Sequence, residues 1–182
     1  MKRLLLILLS IILLISCTST SGVYITDDTK VPLLDVSCFG APFEMYQLME
    51  GNVFGDDEYS IEAYSIFDGQ ELDIILLAPT GLTVAEITYD GEKTSADSQF
   101  FSNGDIVASY IIFDFQLCYG NYDALSELLS GYDFQFSENE EDGRSIRTVS
   151  RNDELIYEIT ITDSIITVNN LLRRYSYSME EL

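Results

Sequence analysis

The sequence predicts an α+β fold, an antiparallel meander of short strands broken once by a helical insert. Three observations carry that expectation. Apolar and polar residues alternate with period two from about Phe43 onward. Turn-forming residues punctuate the alternation at short intervals. One stretch, IVASYIIFDFQLCYG beginning at Ile106, has helical spacing instead.

Taken in order, Tyr59 to Phe67 reads as a strand closed by the Asp68-Gly69 turn. Leu72 to Ala78 (LDIILLA) is too apolar for a solvent-facing strand and is expected to be covered, wholly or in part, on both faces. Pro79-Thr80-Gly81 turns the chain into Leu82 to Tyr89, which ends at Asp90-Gly91. Asp-Gly is a hairpin signal because both residues tolerate positive φ. In the helical stretch Ile106, Tyr110, Phe113 and Leu117 fall on one face, with Asp105 placed to cap it and Gly120 to end it. A second, short helix follows, capped by Asn121 and running from Ala124 to Leu129 before Gly131. Tyr132, Phe134 and Phe136 then alternate with polar residues, as do Leu155, Tyr157, Ile159 and Ile161. Ser164 to Asn169 and Arg174 to Met179 complete the series, while Glu138 to Asp142 (ENEED) reads as a solvated loop.

The N-terminus, MKRLLLILLSIILLISCTSTSG, sets the expected compartment. Lys2 and Arg3 precede an apolar run from Leu4 to Ile15 that is short for a spanning helix, which needs about 20 residues. Leu14-Ile15-Ser16-Cys17 resembles the bacterial lipobox. That resemblance implies cleavage before Cys17, a diacylglycerol on its thiol and an acyl chain such as palmitate on its amine. Two or three chains make a stable anchor where one alone is marginal. The expected organisation is a signal peptide over 1–16, a lipidated cysteine and tether over 17–41, and one domain over 42–182. Thr18, where some bacteria read an aspartate as inner-membrane retention, points to the outer membrane and a periplasmic face.

Composition excludes several functions. Nine basic residues oppose 31 acidic ones for a net charge of −22, which repels nucleic acid and anionic head groups. There is no histidine, hence no Ser-His or Cys-His pair, and no phosphate-binding loop or Gly-x-Ser-x-Gly elbow; the protein is expected not to be an enzyme and to need no cofactor or metal. Cys38 and Cys118 are free to pair or to stay buried as thiols.

LDIILLAPTGLTVAEITYDGEKTSA, DIVASYIIFDFQLCYG and the closing ELIYEITITDSIITVNNLLRRYSYSMEEL together resemble a family of bacterial lipoproteins of unknown function, over roughly Gln47 to the C-terminus. The family is grouped with the LolA/LolB-like fold, a strongly curved antiparallel sheet forming an incomplete barrel whose apolar concave face is covered by helices. The resemblance implies that fold and a lipid cavity. The residues expected to line it are Ile74, Leu76, Val84, Phe134, Phe136, Tyr157, Ile159, Tyr175 and Tyr177 from strands, with Tyr110 and Phe113 from the helical lid. Two functional classes follow. One is a membrane-anchored lipoprotein that binds lipid or acyl chains, including those of other lipoproteins. The other is a structural or interaction lipoprotein that joins an envelope protein and takes no small ligand.

Overall fold

The computed structural model describes residues 21–53 and 57–182; the predicted signal segment and Cys17 lie outside them. A small antiparallel pair opens the chain, β1 (Gly22–Tyr24) with β2 (Lys30–Pro32), followed by a 3-10 turn at Val36–Phe39. Five strands come next: β3 (Phe43–Val53), β4 (Asp57–Phe67), β5 (Leu72–Leu77), β6 (Thr83–Tyr89) and β7 (Thr94–Asp97). Helices α1 (Gly104–Tyr119) and α2 (Tyr122–Ser130) interrupt them. The chain closes with β8 (Gln135–Glu141), β9 (Arg144–Arg151), β10 (Glu154–Ile161), β11 (Ile165–Asn170) and β12 (Tyr175–Glu181).

The ten strands from β3 onward form one open antiparallel sheet in the order β7-β6-β5-β4-β3-β12-β11-β10-β9-β8. Two consecutive meanders are thus joined where β12, the last strand, pairs with β3, the first. The sheet curls strongly. β7 and β10 stand seven places apart in that order, which in a flat sheet is about 34 Å at the usual 4.8 Å spacing. Yet Ser109 Oγ of α1 lies 2.8 Å from Thr94 Oγ1 of β7, and Phe113, one helical turn on, meets the Tyr157 ring of β10 edge-on at 5.9 Å. Only a sheet wrapped around the helix brings both strands to one turn of it. The architecture is an α+β incomplete barrel with α1 inside.

Burial follows that geometry. The first half of α1 keeps one side exposed, with Ile106 60% accessible, whereas Ile112 through Cys118 are buried on every side. A helix apolar all round belongs in a core, and its β-branched and aromatic residues form a helix because the barrel surrounds them. Its C-terminal carbonyls are met by Arg147 from β9, whose guanidinium donates to the oxygens of Leu117, Cys118 and Gly120 at 3.0–3.1 Å and to Glu138 at 3.2 Å. That places a cation where the helix dipole favours one.

Four sequence expectations change. The segment before residue 42 is not all tether: Val23, Ile25, Val31, Leu33 and Val36 are buried, and the amide of Gln116 pairs with both backbone groups of Leu34 like a strand partner, at 3.1 and 2.6 Å. ENEED is mostly strand β8 rather than loop, because an edge strand tolerates an acidic exposed face. The helix cap is Asn103; Asp105 lies in the first turn, and its Oδ1 accepts from the Ala96 amide. At Asp68-Gly69 and Asp90-Gly91 only the glycines have positive φ. There the aspartates cap the turns by accepting two backbone amides each at 2.7–2.9 Å. The two-residue turns with both φ positive occur instead at Asp142-Gly143 and Asn152-Asp153.

Candidate functional site

Strand alternation sends one row of side chains from each strand toward α1. Register makes Tyr59, Gly51, Tyr177, Val168 and Ile159 direct neighbours across β4, β3, β12, β11 and β10 on that inner face. Gly51 is a gap in the row. A Cβ there would overlap the Ser176 carbonyl oxygen and Tyr177 Cβ, so only glycine lets β3 and β12 meet as they do. Beside this row the sheet and the exposed half of α1 part to leave a cavity of about 380 Å³.

Its walls are mostly apolar and aromatic. Met49, Tyr59, Ile61 and Leu76 come from the sheet, Tyr175 and Tyr177 from β12, and Phe101, Val107, Tyr110 and Ile111 from the loop before α1 and its first turns. Among the described residues Asp114 supplies the one carboxylate of that lining. It is 4% accessible, and two phenols converge on it. Tyr175 Oη donates to the carboxylate at 2.8–2.9 Å and Tyr177 Oη donates at 3.1 Å, while Tyr157 Oη lies 3.2 Å behind Tyr175 Oη. Burial raises the Asp114 carboxyl from 3.8 to about 7, opposed in part by the tyrosine hydroxyls. Burial, and then the nearby carboxylate, pushes Tyr59 up to about 12 and Tyr175 and Tyr177 well above the ordinary phenol range. The phenols are therefore neutral donors at any physiological pH. Arg173, stacked 4.8 Å from the Tyr110 ring centroid, hydrogen-bonds the Tyr24 carbonyl and does not line the cavity.

Of the residues expected to line a lipid cavity, Leu76, Tyr110, Tyr175 and Tyr177 are found in the wall of this cavity. Ile74 lies next to it, beside a narrow space shared with Leu76 and Ile111. Phe113, expected at the lid, is fully buried against Tyr157 and belongs to the core. Phe134, Phe136 and Ile159 are buried at the α2 side of the barrel and in the inner sheet; Val84 sits half-buried at the irregularity between β5 and β6. Tyr157 is absent from the cavity wall and stands behind it, its Oη 3.2 Å from Tyr175 Oη. Sequence reasoning missed Met49, Tyr59, Ile61 and above all Asp114. Tyr59 and Ile61 alternate visibly in their strand, but a lone acid in an apolar helical run was the signal for Asp114.

Cys38 and Cys118 are both buried free thiols. Burial pushes Cys38 up to about 12 and Cys118 higher still, which makes them poor nucleophiles. Among the described residues no group of three His, Cys, Asp or Glu side chains could hold a metal.

No curated protein sequence matches the chain. Among solved structures, it is similar to a LolA superfamily protein, NE2245 from Nitrosomonas europaea, with 7% identity and a TM-score of 0.38 over 78% of this chain and 84% of that one. The family model described as "Protein of unknown function (DUF3261)" matches residues 45–182. That is most of the chain, and the protein belongs to this DUF3261 family.

Proposed function

We propose that the protein is a lipoprotein of the bacterial envelope, tethered by acyl chains on Cys17 to the outer membrane and facing the periplasm, and that its barrel binds a lipid or acyl chain. The cavity under α1 carries the proposal. A volume of about 380 Å³ is at the lower end for small-molecule sites and suits one chain rather than several. An alkyl chain needs a dry, shaped channel and few polar contacts, which is what Met49, Ile61, Leu76, Val107 and Ile111 offer. Its roof is the half of α1 that packs least, so a chain enters by displacing few contacts. Binding and handing on a chain is a carrier's task and requires no catalytic group.

Two variants separate anchor from cavity. Cys17→Ser is expected to release the protein from membranes; a variant that still fractionates with lipid contradicts the anchor. Ile111→Trp fills the cavity from its roof and is expected to weaken binding of a fluorescent acyl-chain probe by about tenfold or more, about 1.4 kcal/mol. Overpacking of this kind costs about 1–3 kcal/mol of stability, so the melting temperature is measured on the same sample. Unchanged probe binding in a folded Ile111→Trp protein removes the cavity from the account.

A further inference from the structure

The polar end of the cavity says which kind of chain fits. The hydroxyls of the network converge on Asp114: Tyr175 and Tyr177 donate to the carboxylate, and Tyr157 Oη lies 3.2 Å from Tyr175 Oη. Each phenol has one proton, so two donors address a group with about four acceptor sites, and acceptor capacity is left over. Among the described residues no Lys or Arg lines the cavity to neutralise it. The rings of Tyr59, Tyr175, Tyr177 and Phe101 line the same cavity, with Tyr175 and Tyr177 stacked at 6.3 Å, while the Tyr110 ring already carries the Arg173 guanidinium. Aromatic faces attract cations, and most of all desolvated ones. Acceptor and rings thus select the same chemistry.

Resting on the acyl-binding reading above, we propose that Asp114 anchors the ligand's polar end and that the ligand is a single alkyl chain ending in a primary amine. The ammonium group donates to the free lone pairs of Asp114 and lies against the tyrosine rings, while its chain runs along Met49, Ile61 and Leu76. Above about pH 7, where Asp114 is ionised, a free fatty acid is turned away, because its carboxylate would face a second carboxylate with no cation between them. The groups facing Asp114 are Tyr59 from β4, Tyr157 from β10, Tyr175 and Tyr177 from β12, and Cys118 on its own helix. The tyrosines and the cysteine all titrate well above neutrality. Across the neutral range Asp114 is therefore the group that changes charge, and amine binding strengthens as pH rises through about 7.

The test uses the full chain in phosphatidylcholine vesicles and two photoactivatable probes with the same alkyl chain, one ending in an amine and one in a carboxylate. Labelling of peptides holding Met49, Leu76 and Tyr110 is read by mass spectrometry and divided by labelling of exterior peptides in the same sample. The expected result is about tenfold more cavity labelling by the amine, the discrimination one buried charge-assisted hydrogen bond supports. That preference is expected to collapse in Asp114→Asn. In the unaltered protein, amine labelling is expected to fall between about pH 8.5 and about pH 5.5 as the carboxylate takes up its proton. Equal labelling by the two probes, or amine labelling indifferent to pH, overturns the anchor while leaving the acyl cavity standing. Absence of cavity labelling by either probe overturns the cavity itself.

Discussion

Asp114 is the only acidic side chain buried among the described residues. Its carboxyl titrates near 7 instead of 3.8, so the folded protein keeps a proton that the unfolded chain releases between those values. The stability this group contributes is full below about pH 4 and is lost as pH rises through about 7. The capped turn aspartates run the other way: backbone amides hold Asp68 and Asp90 below the usual carboxylate range. In an Asp114→Asn protein only the second effect remains. Melting curves over this pH range are therefore expected to fall more steeply with rising pH in the unaltered protein than in the variant. Parallel profiles would mean that Asp114 is not buried as described.

At the scale of elements, α1 is held at both ends by other parts of the chain. Its start docks on β7, where Thr94 Oγ1 meets Ser109 Oγ. Its end is satisfied by Arg147, which reaches three of its last carbonyl oxygens from β9. Replacing Arg147 by Met keeps much of the side-chain volume but strands those carbonyls and Glu138. A loss of about 1.5–3 kcal/mol is expected, the range for hydrogen bonds to charged groups, measured by urea unfolding. A loss below about 0.5 kcal/mol would mean that water replaces the guanidinium freely. Most of this was hidden in the sequence. The spacing of Tyr110, Phe113 and Leu117 gave away the helix, and Asn121 its short successor, whose side chain caps the Ala124 amide at 3.0 Å. Strand β9 (RSIRTVSR) was not legible, because its polar residues mix with few apolar ones and Arg147 points inward. That inward arginine makes sense only once the end of α1 is seen beside it.

For the molecule as a whole, the resemblance read from Gln47 onward coincides with the family match from residue 45. The curvature implied by that resemblance is real, since one turn of α1 touches strands seven places apart. Local periodicity could not announce it: alternation says which face is apolar, and says nothing about how far the sheet bends. For the same reason the inner-face residues were found as a set, yet their division into cavity and core was not. Phe113 and Tyr110 lie three residues apart on one helix, and only the distance to Tyr157 makes one core and the other roof. The first strands were missed as part of the fold because Gly22–Tyr24 and Lys30–Pro32 are too short to alternate visibly. They add the cover without which Leu34 could not pair with Gln116 and Tyr89.

The proposed function requires an apolar cavity with removable contents. The most direct measurement is native mass spectrometry of the chain from Thr18 onward, which keeps every described residue, secreted by a bacterial host and purified without detergent. A mass raised by one single-chain amphiphile, shed on mild activation and missing from Ile111→Trp, is expected. A bare mass that stays bare after incubation with envelope lipids would contradict it, and would leave an interaction lipoprotein whose partner is another envelope protein.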